Sequence, residues 1–279
     1  MPYATTHDNI RIYYESAGSG APIVFVHEFA GSHRSWEPQL RYFARRYRCL
    51  SFSARGYPPS DVPADTSAYS QINAVDDIKV VLEHAGIERA HIVGLSMGGY
   101  ATLHFGFRYP DSALSLCIGG CGYGSVPGTG GRFKDEAEDL ARAIEQAGME
   151  AFTASYAHGP TRLPFERKDP MGFALFKHLL TQLPATGAAN TQRGVQKERP
   201  SLYELTDQMA ALKVPALIIC GDADVPCLAP ALLMKQHIAG SMLSILPDSG
   251  HSINLEEPAD YNRIVERFIS QVDSGHWPL

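Results

Sequence analysis

No run of apolar residues in this 279-residue chain reaches the ~18 that a membrane-crossing helix requires. The opening stretch "MPYATTHDNIRIYY" has no basic start and no apolar segment behind it, so a secretory leader is not expected. Positive charge is in deficit, with 24 Lys+Arg against 30 Asp+Glu. The densest basic cluster, "RYFARRYR" at 41–48, alternates arginine with aromatics and reads as the end of an amphipathic helix. Neither nucleic acid nor a membrane is an expected partner. Cysteine is sparse and odd in number: Cys49, Cys117, Cys121, Cys220 and Cys227. An odd set in a long chain, mostly beside apolar runs, is not a disulfide framework. Cys117 and Cys121 have no second Cys/His pair at ligand spacing, so no metal is expected. These absences leave a soluble, cytoplasmic protein as the expectation, with a small molecule as its partner and the oligomeric state open.

The chain does contain many short apolar bursts. "IRIYYES" (10–16) alternates as a half-buried strand does. "PIVFVHE" (22–28), "RCLSFSA" (48–54), "AHIVGLS" (90–96), "ALSLCIGG" (113–120), "PALIICG" (215–221) and "SMLSILP" (241–247) are continuous, as strands buried on both faces are. Between them come helical patterns at 35–46, 71–86, 98–110, 229–240 and 256–272. Strands alternating with helices of this length predict a mostly parallel α/β sheet with helices on both faces and an antiparallel hairpin at one edge. The rhythm breaks between 122 and 205. That stretch opens "GYGSVPGTGG" and shows helical patches at 133–147 and 170–183. It then runs through "PATGAANTQRGVQKERP" with no pattern assigned. The expected organisation is a core of residues 1–121 and 206–279 and a helical cap or lid at 122–205.

One stretch concentrates chemistry. In "HIVGLSMGGYATLHF" (91–105), Ser96 stands between Gly94 and Gly98 where an apolar strand meets a helix. A strand–helix turn that tight excludes a Cβ two positions either side, and it holds the serine exposed at the carboxyl end of the strand. A serine hydroxyl needs a base, and the base needs an acid to orient it. His251, in the loop "LPDSGHSINLEEP" after the last strand, lies at the same sheet edge as the elbow. His158 and His178 fall in the insertion and His237 falls mid-helix. Two acids follow the strand "ALIICG". Asp224 is better placed to reach the imidazole, and Asp222 to cap loop N–H groups. Asp248 is a weaker competitor.

Along nearly its whole length the chain resembles the α/β-hydrolase superfamily, through "VHEFAG", "SARGYPPSD", "GLSMGG", "GDAD" and "SGHSINLEEP". The resemblance implies an eight-stranded sheet with a cap insertion and a triad of Ser96, Asp224 and His251. It also implies an oxyanion hole from the backbone N–H groups of Phe29 and Met97. Two departures stand out. His27 is followed by Glu28 where the family carries glycine, and Ser53 and Pro58 replace the usual Asp and second Gly of the next loop.

A serine nucleophile argues for an acyl-enzyme and against the aspartate-dependent branches of the fold. The expected activity is cleavage of a carboxylic ester of a small or medium, fairly apolar substrate, without cofactor. A C–C hydrolase acting on a diketone-type ring-fission product uses the same triad and stays open. A pocket arginine from the insertion would favour it, with Arg132, Arg162, Arg167 and Arg193 as candidates. A slow-turnover small-molecule receptor on the same fold also stays open. The apolar pocket wall is expected from Phe133, Phe152, Tyr156, Phe173, Phe176 and Leu179. Glu28, beside the oxyanion loop, is expected to turn away and pair with His33, Arg34 or loop N–H groups, and its amidation to cost little. The alternatives are a protonated carboxyl or one that meets the substrate at the pocket mouth.

Overall fold

The short apolar runs pair into one eight-stranded sheet in the order β1-β2-β4-β3-β5-β6-β7-β8. The computed structural model describes residues 2–277. Strands β1 (Tyr3–Thr5) and β2 (Arg11–Ala17) form the antiparallel edge, and β2 runs antiparallel to β4 (Arg48–Phe52). Strands β3 (Pro22–Val26), β5 (Ala90–Leu95), β6 (Ala113–Gly119), β7 (Ala216–Gly221) and β8 (Met242–Leu246) continue it in parallel.

Alternation along each strand divides the core in two. Val24, Val26, Ile92 and Ile118 pack on one face of the sheet, against helices α2 (Gln71–His84) and α3 (Met97–Arg108). Ile23, Phe25, Val93 and Cys117 pack on the other, with Trp36, Tyr261 and Phe268. Helix α1 (Glu37–Phe43) lies on that second face. Each fully buried aliphatic side chain in these layers contributes roughly 1.5–3 kcal/mol.

Between β6 and β7 the chain leaves the sheet. It forms α4 (Gly130–Tyr156), broken at Gly148, then α5 (Leu163–Lys168), α6 (Pro170–Thr181) and α7 (Ala185–Thr191). A π-helical turn, Gln192–Gln196, follows. This excursion has its own apolar cluster of Ala141, Ile144, Phe152, Phe165, Phe173, Phe176 and Leu180, which also takes in Phe29 and Met97 of the core. Helix α8 (Thr206–Ala211) returns the chain to β7, and α9 (Val225–His237), α10 (Ile253–Glu256) and α11 (Pro258–Asp273) complete the fold. All five cysteines are free and buried. Among the described residues no helix is long and apolar enough to cross a membrane.

Candidate active site

The carboxyl ends of β3, β5, β7 and β8 bring four loops to one sheet edge, with His251 on the loop after β8. At β5 the chain turns directly into α3, and Ser96 sits in the turn with φ 55° and ψ −112°, a conformation sparsely open to a residue with a Cβ. The flanking glycines follow from contact. A Cβ on Gly94 would sit 2.1 Å from the Gly98 carbonyl oxygen, and one on Gly98 would sit 2.1 Å from that of Val26. The strained serine is held by its N–H, which donates to the Gly119 carbonyl at 2.8 Å.

Beyond β7, Asp224 is buried at 2 % exposure, and its Oδ2 lies 2.7 Å from Nδ1 of His251. Asp222 takes a different role: its Oδ1 accepts the Ser249 N–H at 3.2 Å. Asp248 pairs with Arg167 on the surface at 2.5 Å. Burial pushes the His251 ring toward neutrality. Asp224 more than reverses this, so the imidazole titrates above its ordinary value. Cys227 completes a tight group with Asp224 and His251. Its thiol points to the Gly120 carbonyl, and burial holds it protonated. With the Asp224 and His251 atoms bonded to each other, this set does not suit a metal.

Ser96, Asp224 and His251 share the wall of one cavity of about 320 Å³, at the lower end of ligand-site volumes. Among the described residues no hydrogen bond joins Ser96 Oγ to the imidazole, an apo geometry common in such sites. The backbone N–H groups of Phe29 and Met97 donate to no acceptor among the described residues. The Phe29 loop is shaped by His27. Its Nδ1 lies 2.7 Å from the Glu28 carbonyl oxygen, and its Nε2 accepts the Ala54 N–H at 3.0 Å. Burial lowers this ring's pKa to about 4, so it stays a neutral strut.

Phe29, Phe133 and Tyr156 line the cavity. Phe152, Phe173 and Phe176 do not; they are buried in the excursion's own cluster, with Phe152 packed edge-on behind Phe29. Leu179 is likewise absent from the wall. Gln192, Gln196 and Arg199, which the sequence reading missed, supply polar wall instead. No local pattern marks them: Gln192–Gln196 is a π-helical turn, and Arg199 lies beyond its end. Of the four arginine candidates, only Arg162 reaches the cavity.

Arg162 also corrects the expectation for Glu28. The Glu28 carboxylate does not pair with His33 or Arg34. It is buried, and it meets Arg162 through Nη2 to Oε2 at 2.5 Å and Nη1 to Oε1 at 3.2 Å. Each side chain is 3 % exposed. Burial alone would raise the Glu28 pKa; the guanidinium, His251 and Ser252 together hold it below the usual carboxylate range. Glu28 is therefore ionised, and its amidation would strand a buried cation.

A family model for the alpha/beta hydrolase fold matches residues 21–258. The chain belongs to this family. Among its curated relatives, it is 27 % identical over 253 residues to 3-oxoadipate enol-lactonase 1 of Acinetobacter baylyi, covering 90 % of this chain and 89 % of that one. It is 26 % identical over 277 residues to a putative 2-succinyl-6-hydroxy-2,4-cyclohexadiene-1-carboxylate synthase of Bacillus subtilis, covering 96 % and 98 %. The enol-lactonase structure from Burkholderia xenovorans superposes with a TM-score of 0.83 at 22 % identity, covering 96 % of this chain and all of that one, which shows the shared fold.

Proposed function

We propose that this alpha/beta hydrolase cleaves a carboxylic ester or lactone of a small to medium, mostly apolar substrate through an acyl-enzyme. The observation that carries the reading is the 2.7 Å contact between His251 and buried Asp224, beside the strained Ser96 on the wall of one cavity. Ser96 Oγ attacks the carbonyl carbon as its proton passes to Nε2 of His251. Asp224 holds the Nδ1 tautomer and stabilises the imidazolium. The oxyanion faces the free N–H groups of Phe29 and Met97, each worth about 3 kcal/mol in such a role. Collapse expels the alcohol, which takes the proton from Nε2. Water then gives a proton to Nε2 and attacks the acyl carbon; as this second intermediate collapses, Ser96 Oγ takes the proton back from Nε2 and the acid leaves. No cofactor enters this sequence. In it, residues 122–205 act as the cap that closes the pocket.

The similarity to an enol-lactonase supports ester-type chemistry. A second reading, hydrolysis of a C–C bond in a diketone-type substrate, is favoured by Arg199. This guanidinium lines the cavity, packs over the Tyr100 and Phe133 rings at 4.2 and 4.5 Å, and has no carboxylate partner among the described residues. It suits a substrate bearing a carboxylate. A panel of p-nitrophenyl acetate and butyrate, lactones, and diketones with and without a carboxylate, read by mass spectrometry, tests both. Fast ester or lactone turnover supports the first reading. Turnover confined to diketones supports the second. Binding without turnover would overturn both and leave a receptor.

A further inference from the structure

Two carboxylates bracket the His251 ring. Asp224 holds Nδ1 at 2.7 Å, and Oε2 of Glu28 stands 4.0 Å from Nε2, the nitrogen that has to receive the Ser96 proton. A carboxylate free at that edge would pair with Nε2–H whenever the ring is protonated. A ring held that way has no lone pair to offer the serine. Both Glu28 oxygens, however, are taken. Arg162 spans them with Nη1 and Nη2, and Ser252, the residue after His251, donates its Oγ–H to Oε1 at 3.2 Å.

Arg162 is itself fixed from several sides. Nη1 also donates to Ser252 Oγ at 2.6 Å and Nη2 to the Tyr156 hydroxyl at 3.2 Å. The guanidinium lies over the Tyr156 and Phe176 rings at 5.0 and 4.9 Å. Its neighbour Thr161 accepts the His251 backbone N–H at 2.8 Å. The same turn of the β6–β7 excursion thus grips both the histidine's main chain and the carboxylate beside its reactive nitrogen.

We propose that Arg162 is a positioning residue that keeps Glu28 off the Nε2 edge of His251, leaving that nitrogen to Ser96, while Glu28 in turn cancels the Arg162 charge beside the base. This rests on the triad reading above. The charged groups around the ring are Asp224, ahead of α9; Glu28, after β3; and Arg162, from the excursion, beside the neutral Tyr156 hydroxyl, which burial keeps protonated. The buried Cys227 thiol, close to the ring as well, stays protonated; further out, Asp222 binds the Ser249 N–H, and Glu256 binds the Gly250 N–H and pairs with Lys168 at 3.0 Å. At His251, Arg162 opposes protonation and Glu28 favours it. Removing one or the other therefore moves the ring in opposite directions.

The test is the pH profile of kcat/KM for p-nitrophenyl butyrate in the wild type, Arg162→Met, Glu28→Gln and the double variant. In Arg162→Met the acid limb should rise by about one pH unit, with activity recovering toward pH 9; in Glu28→Gln it should fall by about half a unit or more. In the double variant it should return to within about 0.3 unit of the wild type, because the two shifts cancel. Arg162→Lys, which keeps the charge, should leave the limb close to wild type. A pair that serves stability alone would lower the melting temperature of both single variants and leave every limb in place, and that result overturns the proposal. So would shifts of the same sign. If Arg162→Met does not fold, the limb of Glu28→Gln decides by itself: downward supports the proposal, unmoved overturns it. Ser96→Ala separates this proposal from the triad reading. Retained activity there sinks both, whereas an inactive Ser96→Ala with unmoved limbs sinks only the Arg162–Glu28 role.

Discussion

Oδ2 of Asp224 lies 2.7 Å from Nδ1 of His251, while Asp222, only two residues earlier, is turned to the Ser249 N–H. The two acids share one loop and have different work. Asp224→Asn should lower kcat/KM for p-nitrophenyl butyrate by about 10⁴-fold, because an amide favours the wrong imidazole tautomer. Asp222→Asn should cost less than about tenfold, since a side-chain amide oxygen still accepts a hydrogen bond. Equal losses in steady-state assays would remove Asp224 from the role assigned to it.

Ser96→Ala should abolish turnover by several orders of magnitude and leave the far-ultraviolet circular dichroism unchanged. Relief of the φ 55° strain is incomplete in alanine, so no large gain in melting temperature should accompany the loss. A fluorophosphonate probe should modify Ser96 alone in peptide mapping. An adduct on another serine would mean that the elbow is not the nucleophile.

The pH dependence follows from the His251 environment. Burial disfavours the charged ring and Asp224 outweighs it, so the imidazole stays protonated above the ordinary histidine value. In the proposed mechanism His251 acts as base only when neutral. Hydrolysis should therefore rise with pH through a limb above about 6.5 and level off in mildly alkaline solution. Asp224→Asn should move that limb downward in whatever activity remains. An upward move would show that another group controls the profile.

Strands and elbow were legible in the sequence because their signal is local: continuous apolar runs, and two glycines around one serine. The excursion was less so. Helix α7 and the π-helical turn occupy "ATGAANTQRGVQ", where two glycines, two threonines, an asparagine and a valine offset the good helix formers and no apolar periodicity shows. Tertiary contact decides there; at Gly187 a Cβ would sit 2.0 Å from the Gly56 carbonyl oxygen. The insertion's aromatic residues Phe152, Phe173 and Phe176 were likewise expected in the pocket wall, but composition does not show which apolar side chains look into the cavity and which pack behind it. The Glu28 partner lies 134 positions away, and no local pattern links position 28 to position 162.

Arg199 should govern which substrates the pocket prefers. Its Nη2 donates to the Tyr123 carbonyl oxygen at 2.6 Å and its Nη1 to the Gln196 side chain, so the guanidinium is oriented without being neutralised. It packs on Tyr100, one helical turn or about 6 Å along α3 from Ser96. A carboxylate a few bonds from the scissile carbonyl could then reach the cation while the carbonyl lies at the serine. The measurable quantity is a ratio: kcat/KM for a carboxylate-bearing ester over that for its neutral methyl-ester analogue. Arg199→Gln keeps hydrogen-bonding capacity and removes the charge. It should lower the ratio by about 10- to 100-fold, or about 1.4–2.8 kcal/mol, mainly through KM. Raising the salt concentration should compress the wild-type ratio only modestly, because a partly buried cation is poorly screened. A ratio unchanged by the substitution would assign Arg199 to packing on Tyr100 and Phe133 and leave the pocket selective for neutral esters.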